Sequence, residues 1–145
     1  METRNGKRET RIRIKKRNWT QALVVGKGES VELETISVFN KPRQTGEVLI
    51  KAVVLEGGFL NLRGLIKIEK QAILSEAFLR QKVLLVGKGA RAVAIPELEI
   101  ETDEVKASHA ATVGQIDEEQ VFYLQSRGLS EDQAKKLIIE AFLKI

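Results

Sequence analysis

No cysteine occurs among the 145 residues. That absence excludes a disulfide framework, a thiolate metal site, a cysteine nucleophile and any iron–sulfur cluster held by this chain's own sulfurs. There is a single histidine, His109, which argues against an all-protein zinc site, because such sites take several His or Cys ligands. Aromatics are scarce, and beside the basic N-terminal stretch only Trp19 could stack on a base. No run approaches the roughly eighteen apolar residues that cross a bilayer. The opening residues are charged, so neither a membrane span nor a signal peptide is expected and a cytoplasmic protein is. What remains is an ordinary globular composition, 43% hydrophobic and 30% charged, sufficient for one core.

The net charge of +4 is unevenly spread. Arg4, Lys7, Arg8, Arg11, Arg13, Lys15, Lys16 and Arg17 stand against Glu2 and Glu9 before Asn18, on a mildly acidic remainder. Such an arm, residues 1–18, suits nucleic-acid contact or, more blandly, a solvated tail. The alternation Arg11-Ile12-Arg13-Ile14-Lys15 also suits an edge strand with a cationic face.

From Trp19 to Glu101 the chain is a series of short β-type runs separated by glycine pairs and by Lys41-Pro42. Strands are expected at residues 21–25, 30–39, 47–55, 59–69, 83–86 and 91–101. Val31, Leu33, Thr35 and Phe39 alternate with polar or small residues, and Leu60, Leu62, Leu65, Ile66 and Ile68 sit around Asn61, Arg63 and Lys67, so one face should be buried. Val25-Gly26-Lys27-Gly28 recurs as Val86-Gly87-Lys88-Gly89, a repeated turn. The pattern fits a sandwich, a barrel or a β-helix equally well.

After Ile116 the character changes. Asp117 with Gln120 and Ser130 with Gln133 read as two successive capping boxes, with acidic first turns and Gly128 ending the first helix. Leu129 and Ala134 are spaced for a hydrophobic staple. Ala134, Leu137, Ile138, Ala141 and Phe142 form an apolar stripe that either docks on the body or binds a partner.

Little chemistry is encoded by motif. The two glycine-lysine-glycine turns lack the spacing of a phosphate-binding loop and read as turns. Glu97, Glu99, Glu101, Asp103 and Glu104 form the densest acidic stretch, but the first three alternate with Leu98 and Ile100 as the wet face of a strand does. His109 belongs to no triad motif, and by itself reads as a structural hydrogen-bonding group.

Three separated segments carry a resemblance. Ile95-Pro96-Glu97-Leu98-Glu99-Ile100, Ser108-His109-Ala110-Ala111-Thr112-Val113-Gly114 and Phe122-Tyr123-Leu124-Gln125-Ser126-Arg127-Gly128-Leu129-Ser130, preceded by Arg63-Gly64-Leu65-Ile66-Lys67-Ile68 and the Leu84-Leu85 strand, resemble the C-terminal part of the SufB/SufD family, scaffolds of SUF iron–sulfur cluster assembly. The resemblance implies a mainly β fold, a right-handed parallel β-helix over residues 19–116, then a two-helix segment over residues 117–145.

It also implies a non-enzymatic scaffold. Its C-terminal helices would dock on a SufC-like ABC ATPase, through Phe122, Tyr123, Arg127, Gly128, Leu137 and Phe142. Its β bodies would pair, as a homodimer or with a SufB-type subunit, near His109, Ser108 and Thr112, with His109 as a metal ligand or proton relay. A cluster could be held only together with a partner, and none by the isolated chain. The SufB branch has a cysteine on the strand that here passes through Gln81 and tends to have glutamate where Ala110 stands, and SufD relatives often have cysteine at the Ala107 position, so the SufD branch is the nearer and sulfur acceptance is excluded. The rival expectation is a nucleic-acid-binding β domain using the basic arm.

Overall fold

The computed structural model describes residues 2–4 and 7–144, with side chains from Glu9 to Lys144. Among them are nine strands and two helices. β1 (Glu2–Arg4) and β2 (Lys7–Lys15) are followed by β3 (Trp19–Val25), β4 (Ser30–Phe39), β5 (Thr45–Val54), β6 (Phe59–Ile68), β7 (Glu76–Leu85), β8 (Arg91–Ile100) and β9 (Lys106–Gln115). From β2 onward the chain alternates between two sheets, one ordered β1-β2-β4-β6-β8 and the other β3-β5-β7-β9. Every ladder except β1 on β2 is parallel, and each coil lays one strand in each sheet. This is a parallel β-helix, which settles the choice among all-β architectures that strand pattern alone leaves open.

In-register stacking turns the two-residue period of each strand into rows that run along the solenoid. Ile12, Leu33, Leu62 and Ala94 form one inward row. Trp19, Val48, Leu79 and His109 form another on the facing sheet. Leu33, Leu62, Val48 and Leu79 are buried in one continuous core. The recurrent glycines have a mechanical reason. Gly28, Gly57 and Gly89 take left-handed φ values of 69°, 69° and 75° in stacked turns, where Gly28 N–H donates to Glu56 and Gly57 N–H to Lys88.

Several local expectations change. Strand structure extends further than hydrophobicity suggests, beginning at Glu76 in β7 and occupying the whole of Lys106–Gln115 in β9. β9 is rich in alanine and polar residues of low strand propensity, and it is the parallel ladder with β7 that holds it extended. The basic stretch is part of the body from Lys7 on: β2 pairs in parallel with β4, while β1 covers only Lys7–Arg8–Glu9. The calls on residues 1, 5, 6 and 145 lie outside the described residues. In β6 it is Gly64, not Leu65, that points inward: a Cβ there would meet Leu79 Cδ2 at 2.6 Å and Gln81 Nε2 at 2.9 Å.

α1 (Glu118–Ser126) and α2 (Glu131–Leu143) form a hairpin. Only Ser130 closes a full capping box with Gln133; Asp117 instead accepts from Glu119 N–H at 2.9 Å, one residue earlier than a box requires. Gly128 takes the left-handed conformation (φ 99°) past the end of α1. The packed stripe of α2 is rotated from the one the spacing suggests. Ala134, Ile138, Ile139, Phe142 and Leu143 face the body, and Leu137 and Ala141 are exposed. Both stripes are apolar, so the choice between them is made by the surface beneath, where Val53, Leu84, Val86 and Ile116 are waiting. The Glu131 carboxylate accepts from Lys135 Nζ at 2.9 Å and raises the lysine pKa above its usual 10.5, against the pull of desolvation.

Candidate functional site

The residues singled out by sequence lie on the last coil (β8 and β9) and on the hairpin that follows it, whose α2 reaches back over β5. Among the described residues no further coil follows this one, and its inward rows are open to solvent. Ala92, Ala94, Pro96 and Leu98 are partly buried, Val113 is 42% exposed, and His109 and Ala111 are exposed. His109 lies on the inward side of β9, in register with buried Leu79. Ser108 and Thr112 lie on the opposite side of the same strand, with Phe78 and Lys82 beside them. The imidazole and the two hydroxyls therefore do not converge on one point. They border the same free strand edge from its two faces.

The two edges of this coil differ in backbone chemistry. Along a parallel strand, alternate residues direct their N–H and C=O to alternate sides. In β8, Arg91 and Glu101 N–H donate toward β6, to Gly58 and Ile68. The residues of opposite parity, Pro96 among them, face the free side, so one donor position on that edge is blank. Glu97 and Glu99 are exposed beside it, and proline with charge is how natural sheets blunt an edge. In β9, Lys106 and Ile116 N–H donate toward β7. Ala107, His109, Ala111, Val113 and Gln115 accordingly direct their backbone groups outward, with no proline and no acidic or basic charge among them. β9 is the unprotected edge.

The hairpin has a bound face and a free face. Val121, Leu124, Leu129, Ala134, Ile138, Ile139, Phe142 and Leu143 cluster with Val53, Val86 and Ile116. Phe142 is thus spent on holding α2 to the body. On the free side Phe122 is 73% exposed, Tyr123 56% and Leu137 47%. Arg127 stacks over the Tyr123 ring at 5.4 Å, and its Nε donates to the Tyr123 hydroxyl at 3.2 Å, which fixes one aromatic in place. Lys51 Nζ, on the outer face of β5, donates to the Lys144 carbonyl at 2.8 Å and ties down the end of α2. Gly128 serves the turn between the helices.

Two further features bear on chemistry. Gln81 is 1% exposed inside the solenoid, beside Gly64, with neither amide atom hydrogen-bonded. Periodicity could have marked it, since it occupies an inward position between Leu79 and Val83. Among the described residues, no three His, Asp or Glu side chains lie close enough together to hold a metal ion. Arg11 and Arg13, from the basic stretch, pair with Glu32 (3.4 Å) and Glu34 (3.7 Å) on the neighbouring strand. No described helix is long and apolar enough to cross a membrane.

Comparison with known proteins gives a consistent picture. Residues 15–142 match the family model for the SufBD core domain of SUF system FeS cluster assembly. The chain is 40% identical over 116 residues to the iron–sulfur cluster assembly protein SufD of Escherichia coli, covering 80% of this chain and 27% of that protein. It is 37% identical over 126 residues to SufD of Bacillus subtilis, covering 86% of this chain and 29% of that protein. A SufBD family protein of Mycobacterium bovis is 35% identical over 103 residues, 71% of this chain and 12% of that protein. The chain therefore spans under a third of the length of these relatives.

Proposed function

The chain belongs to the SufB/SufD family of SUF iron–sulfur cluster assembly proteins, on its SufD-like side, and from that membership we propose that it is a non-enzymatic scaffold subunit, docking an ABC-type ATPase on its terminal hairpin and pairing with another SufB/SufD-type body through β9. The observation that carries this reading is the two-sided hairpin. One face is fixed to the solenoid by a small apolar core, and the other presents Phe122 and Tyr123 to solvent. Large aromatics held rigid and exposed are costly in a lone protein and are the usual anchors of a protein interface.

In this scheme Phe122, Tyr123, Leu137 and Arg127 contact the ATPase, and Gly128 sets the hairpin angle that presents them. The outward N–H groups of β9 donate to, and its outward carbonyls accept from, a strand of the paired subunit, with Ser108 and Thr112 on one side of the seam and His109 on the other. Nucleotide-driven motion of the ATPase then moves the hairpin as a lever on the paired bodies. The iron–sulfur cluster is cargo of the assembled complex: with no cysteine, this chain contributes at most the His109 imidazole, as a ligand or proton carrier. The working compartment is the cytoplasm.

The test is co-purification of the tagged full-length chain from its host, beside the Phe122→Ala/Tyr123→Ala variant. An ABC-type ATPase retained by the first and lost by the second, with unchanged circular dichroism, supports the reading. Equal recovery, or no ATPase with either, defeats it. His109→Ala tests the imidazole separately: a reconstituted complex that still delivers clusters at the original rate removes His109 from the chemistry.

A further inference from the structure

The outer face of the four-stranded sheet carries a cationic cluster that the scheme above does not use. Lys51 on β5 and Lys82 on β7 are register partners, and Arg80 stands one pleat away on the same face of β7. Like charges directly opposed on a sheet cost stability. Some cations of the sheets have partners: Arg11 has Glu32, Arg13 has Glu34, Lys106 has Glu76, and Arg91 lies over the Phe59 ring at 5.0 Å. What distinguishes this cluster is the direct opposition of Lys51 and Lys82. Lys51 is engaged by the Lys144 carbonyl, a cation answering the negative end of α2. Arg80 and Lys82 are exposed, and among the described residues neither takes part in an ion pair or hydrogen bond with a side chain.

Their position gives the cluster a meaning. Val53 and Leu84, two residues beyond Lys51 and Lys82 on the same face, lie beneath the helical hairpin. Across β9 the same rows continue as Ala110 and Thr112, small side chains that leave Arg80 and Lys82 standing above a flat surface. The cations thus lie at the foot of the hairpin, where Lys51 holds the end of α2. We propose that Arg80 and Lys82 extend the hairpin's docking surface onto the sheet and receive carboxylates of the same partner that the hairpin binds. This rests on the docking reading given above and adds to it a second, electrostatic contact. The acidic partner cancels the repulsion between Lys82 and Lys51, and long-range attraction to the exposed pair steers its approach.

The experiment is titration of the host's SUF ABC-type ATPase onto the full-length chain at salt concentrations from about 50 to about 300 mM, with the wild type, Arg80→Glu/Lys82→Glu and Arg80→Gln/Lys82→Gln. Both pairs of substitutions are on exposed positions, and thermal melting checks the fold; if the charge reversal misfolds, the glutamine pair carries the test. The expected result is wild-type affinity that falls with salt, an affinity at low salt weakened about tenfold or more by the charge reversal, and a flatter salt dependence in both variants. Wild-type and variant affinities that coincide at every salt concentration overturn the inference while leaving the hairpin reading intact. A wild type that does not bind the ATPase defeats both. Loss of co-purifying nucleic acid from the variants, with ATPase affinity unchanged, also overturns it and makes the cluster a polyanion site.

Discussion

Gln81 and Gly64 show how one position in a solenoid depends on its neighbour across the lumen. The Gln81 amide is buried with neither atom bonded, and it occupies the space left by the missing side chain of Gly64. Burying an unpaired amide costs about 1–3 kcal/mol, and replacing it by an apolar group of similar shape recovers much of that. Gln81→Met should therefore raise stability by about 1–2 kcal/mol, read as a higher urea midpoint with unchanged slope. Gly64→Ala should do the opposite. Its Cβ collides with the ends of two buried side chains, an overpacking cost of about 1–3 kcal/mol, and the loss should shrink in a Gln81→Ala background, where half the collision is gone. The surface pairs Arg11 with Glu32 and Arg13 with Glu34 are well exposed and should contribute little to stability.

Helix α2 is set at both ends by named contacts. Ser130 closes the capping box at its start, and Lys51 from the sheet holds the Lys144 carbonyl at its end. Ser130→Ala should cost about 1 kcal/mol, felt mainly as loosening of the hairpin, because Ala134 sits in the small core between hairpin and body. Hydrogen exchange distinguishes the cases: amides of α2 should lose protection while those of β4 and β6 keep theirs. Uniform loss across both would show that hairpin and solenoid unfold as one unit. The sequence placed both helices and the caps that matter, since Ser130, Gln133 and Gly128 act locally. It misplaced the packed stripe, because Leu137 and Ala141 are as apolar as Ile139 and Leu143, and only the surface beneath could choose.

Taken as a whole, the last coil has one edge that invites pairing and one that resists it. The proposed pairing through β9 predicts a specific outcome for Ala111→Pro. The Ala111 N–H faces away from β7, so a proline there removes no ladder bond within the chain yet blanks the centre of the free edge, as Pro96 does on β8. Sedimentation velocity should show self-association or association with a SufB-type subunit in the wild type and its loss in the variant, with the far-ultraviolet spectrum preserved. Association that survives the proline would move the pairing surface off β9.

Composition and local chemistry by themselves determined the exclusions and the punctuation. The missing cysteines, the glycine turns, the β4 and β6 alternation and the capping residues act within a few residues of themselves, so sequence displays them directly. The segments around Pro96, His109 and Phe122 likewise sufficed to indicate the family and, through it, the β-helix. Tertiary structure alone decided the rest. β9 is extended because β7 templates it, Gly64 rather than Leu65 points inward because the register demands it, and His109 is separated from Ser108 and Thr112 by the pleat. The cationic cluster of Lys51, Arg80 and Lys82 exists only because residues from different coils stand side by side. Each of these depends on which residue of one coil lies next to which residue of the following one, and that pairing is a property of the stack.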